Sequence, residues 1–362
     1  MKYAISFLLP TLFCGILFGQ SSLYWANNGN FSIYKSFVDG SEVERIFETE
    51  AGGSQSLAVD AENGFMFWGG TNYIRRGRLD GTEPMILTQE YGIIGDIVVD
   101  PANDIFYFSE RSGNIYRSNY DATEVEVLIE TDGAEGLFLD LVNQKIYWTS
   151  WIITPGIYVA DLDGSNVTPL ITEDLGRPYS ISIDLENGKM YWCDQVRKEI
   201  ARSDLDGQNR EQIFEDITLF SIIVEPATQK LYLASIENFV SFIQTMNTDG
   251  SGVDTLLQMD DGLSFPRAMD LVVDISSPVN EVALDVNITI APNPSTSSVI
   301  INSSEEISVI QLVDINGKHL QEVAVNAHQA TLDVSRFPDG VYFAHLRLAN
   351  GENVGRKIII SH

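Results

Sequence analysis

Six times along this chain an aromatic or apolar pair is followed by a tight-turn dipeptide. The pairs are Tyr24-Trp25, Phe67-Trp68, Tyr107-Phe108, Tyr147-Trp148, Tyr191-Trp192 and Tyr232-Leu233. The turns are Asp39-Gly40, Asp80-Gly81, Asp121-Ala122, Asp163-Gly164, Asp206-Gly207 and Asp249-Gly250, in steps of 41, 41, 42, 43 and 43 residues. One such repeat cannot bury its own apolar face, so the copies must pack on one another. A period near 42 built of short alternating strands predicts a β-propeller with one blade per repeat.

Each repeat reads as four strands. The first is an apolar run ending in an acid: Leu57 to Asp60, Ile97 to Asp100, Leu137 to Asp140, Ile181 to Asp184 and Ile222 to Glu225. Seven residues after each acid comes the pair, on the second strand. The third strand alternates, as in Ile33-Tyr34-Lys35-Ser36 and Ile115-Tyr116-Arg117-Ser118. The turn and a fourth strand follow, and Asn and Gly at the turns accept positive φ. The first repeat lacks a first strand of its own, and the spare run Ala268 to Asp274 supplies it. The ends of the ring then meet in one blade, giving six blades of four strands over residues 20–275. The aromatic pairs read as wedges between blades, not as ligand contacts.

The Tyr-Trp pairs, the apolar runs ending in Asp and the Asp-Gly turns resemble the YWTD (low-density-lipoprotein-receptor class B) propeller. That family carries Thr-Asp after the aromatics. Here only Cys193-Asp194 keeps the Asp and Ser109-Glu110 comes close; the others read Ala26-Asn27, Gly69-Gly70, Thr149-Ser150 and Ala234-Ser235. The resemblance implies a module that binds proteins or peptides on one face and has no catalysis of its own.

At the N-terminus, Met1-Lys2 precedes an apolar run from Tyr3 to Phe18, too short to span a bilayer, and Gly19 offers a cleavage position. Residues 1–19 therefore read as a secretory signal peptide, and no other stretch reads as a transmembrane segment. Its removal leaves Cys193 as the sole cysteine, which reads as a buried, inert thiol. The period is lost after a linker over 276–284. Residues 285–362 hold short alternating segments with turns at Asn316-Gly317 and Asp339-Gly340, which predicts a small immunoglobulin-like β-sandwich. The motifs Pro292-Asn293-Pro294, Asp314-Ile315-Asn316-Gly317-Lys318, Asp339-Gly340-Val341-Tyr342-Phe343 and Arg356-Lys357 resemble the type A C-terminal sorting domain of the type IX secretion system. That resemblance implies a bacterium of the Bacteroidota type. It also implies that the secretion machinery and its sorting protease are partners, and that the cargo is secreted or attached to the outer-membrane surface.

The net charge is −29, with a pI near 4.3, so a phosphate backbone is repelled and nucleic acid is an unfavoured partner. Strand alternation puts the loops between strands two and three, and from strand four to the next blade, on one face. There the repeat varies, and recognition residues concentrate in variable loops. The two-to-three loops hold Tyr73, Arg75, Arg76, Arg111, Trp151, Arg197, Lys198 and Phe239; the entries to first strands add Arg177, Tyr179, Phe265 and Arg267. Seven cations on one face of an acidic chain, with a Trp outside the repeat pattern, point to an acidic peptide, protein or glycan ligand.

The residues four before each strand-end acid face the central channel: Ser56, Asp96, Gly136, Ser180, Ser221 and Asp270. Asp96 and Asp270, with Glu135 nearby, form a candidate set for a hard cation such as calcium. A metal-dependent hydrolase, lactonase or lyase on a six-bladed scaffold is therefore the alternative to a non-enzymatic binding propeller without cofactor. The chain has four His, at 319, 328, 345 and 362, none of them in the repeats, and no phosphate loop, zinc spacing or nucleophile elbow.

Overall fold

Among the residues that the computed structural model describes, 24 strands form six four-stranded antiparallel sheets within the compact unit Ser21–Val273. The described residues are 21–48, 53–215, 217–259, 265–273, 288–314, 319–349 and 353–362. The signal-peptide and linker segments, with Gly317 and Lys318, lie outside them.

The inner strands, blade one to blade six, are Pro266–Val272, Ser56–Asp60, Ile94–Asp100, Leu137–Asp140, Pro178–Asp184 and Thr218–Glu225. Each pairs with the strand that carries the aromatic pair: Ser22–Asn27, Phe65–Gly69, Ile105–Glu110, Lys145–Ser150, Lys189–Asp194 and Lys230–Glu237. Blade one joins the two ends of the ring, with Tyr24 opposite Asp270 and Trp25 opposite Met269. The seam is tight elsewhere too. A Cβ at Gly40 would lie 2.8 Å from the carbonyl oxygen of Leu256, on the outer strand of blade six.

The turns follow from side-chain chemistry. In each of the six turns the Asp Oδ1 accepts the backbone N–H two residues on, at Ser41, Thr82, Thr123, Ser165, Gln208 and Ser251. Glycine follows at φ between +80° and +88° in five of them, and Ala122 holds φ 55° in the sixth. The strand-end acids build the other turn: Asp60, Asp140 and Asp184 each accept both the backbone and the side-chain N–H of the Asn three residues later. Trp25, Trp68, Trp148 and Trp192 are buried between blades. Two of them stack on a third-strand tyrosine directly opposite, Trp25 on Tyr34 and Trp148 on Tyr158, at centroid distances of 5.4 and 5.3 Å.

The C-terminal unit is a five-stranded antiparallel sheet of Ile288–Ala291, Ser298–Asp314, His319–Asp333, Gly340–Leu348 and Asn353–Ile360. Sequence periodicity breaks Ser298–Asp314 into two segments. The structure joins them through irregularities between Asn302 and Val309, and such bulges bend a strand. The curled sheet closes on a core that includes Val299, Ile310, Leu332, Leu346 and Ile358.

Candidate functional site

The mouth of the central channel on the variable-loop face gathers side chains from all six blades. Glu135, just before the inner strand of blade four, is buried and is the hub. Its carboxylate accepts Arg111 at both oxygens, from Nε at 3.0 and 2.8 Å and from Nη2 at 2.5 Å. The indole Nε1–H of Trp151 donates to Oε2 at 2.7 Å. The pair is nearly dry, with side chains 13% and 2% exposed. Burial works against the Arg111 charge, and the hydrogen bond and charge of Glu135, together with Tyr179, more than restore it.

Tyr179, on the inner strand of blade five, is the second centre. Its hydroxyl accepts Arg111 Nη2 at 3.0 Å and Arg267 Nη1 at 3.3 Å. Burial and the Glu135 charge lift its pKa to about 12, so it stays a neutral phenol. Arg177 lies 3.8 Å above the Trp151 ring centroid, and Arg267 lies 4.3 Å above that of Phe220. Arg111 Nη2 also donates to Gln55 Oε1 at 3.1 Å. Gln55 and Phe220 are absent from the sequence-derived candidates. The signal for them was present: Gln55, Glu135, Tyr179 and Phe220 each stand five residues before a strand-end acid, so they are one repeat position.

The remaining candidates scatter. Arg75 and Arg76 are not loop residues; they lie on the third strand, Ile74–Arg78. Arg76 faces Phe67 across the sheet, as Lys35 faces Tyr24, Arg117 faces Tyr107 and Arg202 faces Tyr191. Its Nη1 donates to the Tyr120 carbonyl of the next blade at 2.9 Å, and Arg202 does the same to Thr248 at 2.8 Å. This is a scaffold position, so two of the seven cations leave the face. Tyr73 is buried, with its hydroxyl donating to the Gly53 carbonyl at 2.9 Å. Arg197 pairs with buried Glu199 at 3.0 Å, and Lys198 is exposed at φ 54° beside it. The Phe265 N–H donates to Asn27 at 2.9 Å, and Phe239 stands 84% exposed at a loop tip.

Asp194 shows how Asn27 and Glu110 replace the missing Asp in two blades. Asp194 Oδ1 accepts the N–H groups of Arg177, Val196 and Arg197, tying its own loop to the neighbouring entry. Asn27 does the same for Gly29, Asn30 and Phe265, and Glu110 for Gly92.

Asp96, Ser180, Ser221 and Asp270 line a channel cavity of about 360 Å³. Their oxygens staple adjacent inner strands. Asp96 accepts the N–H of Ile97 and Leu137, and Asp270 those of Leu271 and Val59. Ser180 and Ser221 accept Ile222 and Met269 in the same way. Burial raises Asp96 to about 7, opposed by its amide partners and aided by the charges of Asp270 and Glu135. Burial raises Asp270 to about 6. With Glu135 committed to Arg111, the proposed cation set is not assembled. Among the described residues no group of three or more His, Cys, Asp or Glu is placed to hold a metal ion. Cys193 is buried, with its thiol pushed up to about 12 by burial.

In the C-terminal unit the motif residues converge. Asn293 Oδ1 accepts the Ile359 N–H at 2.7 Å, so the Pro292-Asn293-Pro294 turn is bound to the terminal strand that carries Arg356 and Lys357. Asp339, before Gly340, accepts the His362 N–H at 2.9 Å, and the Tyr342 hydroxyl donates to the Pro338 carbonyl at 2.9 Å. Asp314 ends the long strand Ser298–Asp314.

Residues 144–185 match the family model of the low-density lipoprotein receptor repeat class B. The matched segment is one repeat long, from the second strand of blade four to the first strand of blade five. Residues 289–361 match the secretion system C-terminal sorting domain. Among curated proteins, the chain is similar to the vitellogenin receptor of Solenopsis invicta, at 29% identity over 63% of this chain and 13% of that protein. It is also similar to the human low-density lipoprotein receptor-related protein 5-like protein, at 22% identity over 54% of this chain and 64% of that one. The chain thus spans only part of each relative. Its fold is shared with a chain of the nidogen/laminin complex, at TM-score 0.62 and 19% identity over 70% of this chain and 98% of that one. No helix among the described residues is long and apolar enough to cross a membrane.

Proposed function

We propose that this chain is an exported, non-enzymatic binding propeller that recognises a protein, peptide or acidic glycan through its variable-loop face. The observation that carries the reading is the channel mouth. Arg111, Glu135, Trp151, Arg177, Tyr179 and Arg267 come from five separate stretches of chain and meet at the variable-loop face. Arg and Trp around a half-buried centre are the residue types that dominate binding energies. The hydrolase alternative needs free carboxylates in the channel, and Asp96, Asp270 and Glu135 are all engaged by protein donors. The receptor-type relatives, and a structural neighbour solved in complex with laminin, favour binding over turnover.

The C-terminal unit supports export by the type IX route, with the mature protein released or held at the surface of a Bacteroidota-type cell. Deleting residues 285–362 should leave the propeller folded and trapped in the periplasm; its appearance in the medium would contradict this. For the propeller, arrays of peptides and glycans probed with the purified chain should give hits. Those hits should vanish with Trp151→Ala/Arg177→Ala. Hits that persist in that variant place binding elsewhere.

A further inference from the structure

The loop-face reading leaves the chemistry of the bound group open, and the arginines at the mouth narrow it. Arg111 is neutralised by Glu135, and Arg197 and Arg210 share Glu199. Arg177 and Arg267 have no carboxylate partner among the described residues, and the Nε of each is buried without a hydrogen-bond partner. Both are half-buried and both border Tyr179: Arg177 lies 5.4 Å from its ring centroid, and Arg267 donates to its hydroxyl. A guanidinium held over an aromatic ring can still offer its terminal N–H donors to a ligand, and that fork matches a carboxylate. Trp151 is itself held by Glu135, so the ring beneath Arg177 is in place before any ligand arrives. Two half-buried guanidinium groups held over aromatic rings, with no carboxylate partner among the described residues, are donors that an anion can take up.

We infer that Arg177 and Arg267, braced by Trp151 and Phe220 and both bordering Tyr179, form a recognition site for a carboxylate side chain of a peptide partner. The peptide is favoured over a uronate glycan by the neighbouring loop tips. Ile153, Val196 and Phe239, on the successive blades four, five and six, are 66%, 69% and 84% exposed. A polypeptide sets acidic and apolar side chains side by side, whereas a polyuronate has no apolar groups of that size to place on such tips.

This inference rests on the loop-face reading, and the test separates the two. The probes are an acetylated, amidated tripeptide of phenylalanine, aspartate and phenylalanine, its asparagine analogue, and free galacturonate. Each is titrated into the full chain, following the side-chain Nε–Hε resonances of the arginines. The aspartate peptide should bind saturably and move the Arg177 and Arg267 signals. The asparagine analogue should bind about tenfold or more weakly, the loss expected for a charge-assisted pair. Arg177→Gln/Arg267→Gln, checked for an unchanged melting curve, should erase that difference. Equal affinity for the two peptides, weakened in both by Phe239→Ser, overturns the carboxylate site and leaves the loop-face reading standing. Galacturonate binding as tightly as the peptide, with the same arginine dependence, overturns the peptide assignment. No movement of either arginine signal up to about 10 mM aspartate peptide overturns the inference outright.

Discussion

On the face where strands one and two, and three and four, turn back, the six blades use one recipe. Each Asp-Gly or Asp-Ala turn is closed by the same Asx bond, and the glycine of the five Asp-Gly turns lies against the outer strand of the blade before. On the opposite face the blades differ in what closes the loop. A side chain at one position does so as Asn27 in blade one, Glu110 in blade three and Asp194 in blade five, whereas blade two uses backbone bonds and the Tyr73 hydroxyl. The same ring supports both, so the difference is one of duty. Repeated positions are fixed by blade-on-blade packing, and the positions released from it collect Trp, Arg and exposed apolar side chains.

The sharpest way to break that comparison is to remove one tryptophan of each kind. Trp148→Ala should cost about 3–5 kcal/mol, because it empties a fully packed wedge. Trp151→Ala should cost about 1 kcal/mol, mostly for the lost bond to Glu135. Urea unfolding of both measures the gap, and equal costs would erase the distinction.

Glycines on the turn face give the next largest effect. Gly164 sits at φ +85°, and an added Cβ would lie 2.3 Å from the Leu128 carbonyl oxygen. Gly164→Ala should therefore destabilise by about 2–4 kcal/mol. Gly188 has φ +63° and open space around it, so Gly188→Ala should cost about 1 kcal/mol.

Much of this was legible in the sequence. Turn chemistry and the pair period placed every blade, because Asp-Gly turns and aromatic wedges are local and repeat. The family match at residues 144–185 and the sorting-domain match at 289–361 fall where those motifs stand. The candidate site was legible in part. Arg177, Tyr179, Arg267 and Trp151 do meet, but Arg75 and Arg76 were placed in a loop. Aligning Ile74-Arg75-Arg76 with Ile115-Tyr116-Arg117 would have put them on the third strand. The contact between Arg111 and Glu135 spans 24 residues and two blades, and no local pattern encodes it. Asp96 and Asp270 read as metal ligands because sequence shows the acids and hides the amides that engage them.

Those acids give a smaller, pH-dependent test. The folded pKa of Asp96 is raised to about 7, against about 3.9 in an unfolded chain. The folded state thus holds the proton longer. Its contribution is complete below the unfolded value and is lost as pH rises through about 7. Asp96→Asn should flatten that fall, so the stability of wild type relative to the variant drops between about pH 4 and pH 7. A difference that stays constant with pH would show that the channel carboxyl ionises normally.

The smallest stability effect belongs to the loop tips. Phe239→Ser, at an 84% exposed position, should change unfolding free energy by less than about 0.5 kcal/mol. A larger loss would mean that Phe239 is structural.

The central claim is that the face where the repeat breaks is the binding face. A peptide array probed with three proteins tests it most directly: wild type, Arg177→Gln/Arg267→Gln on the loop face, and Arg78→Gln at the turn-face end of its strand. Wild type and Arg78→Gln should bind the same acidic peptides, and the double variant should bind about tenfold or more weakly. Loss of binding with Arg78→Gln, or undiminished binding by the double variant, would contradict the account.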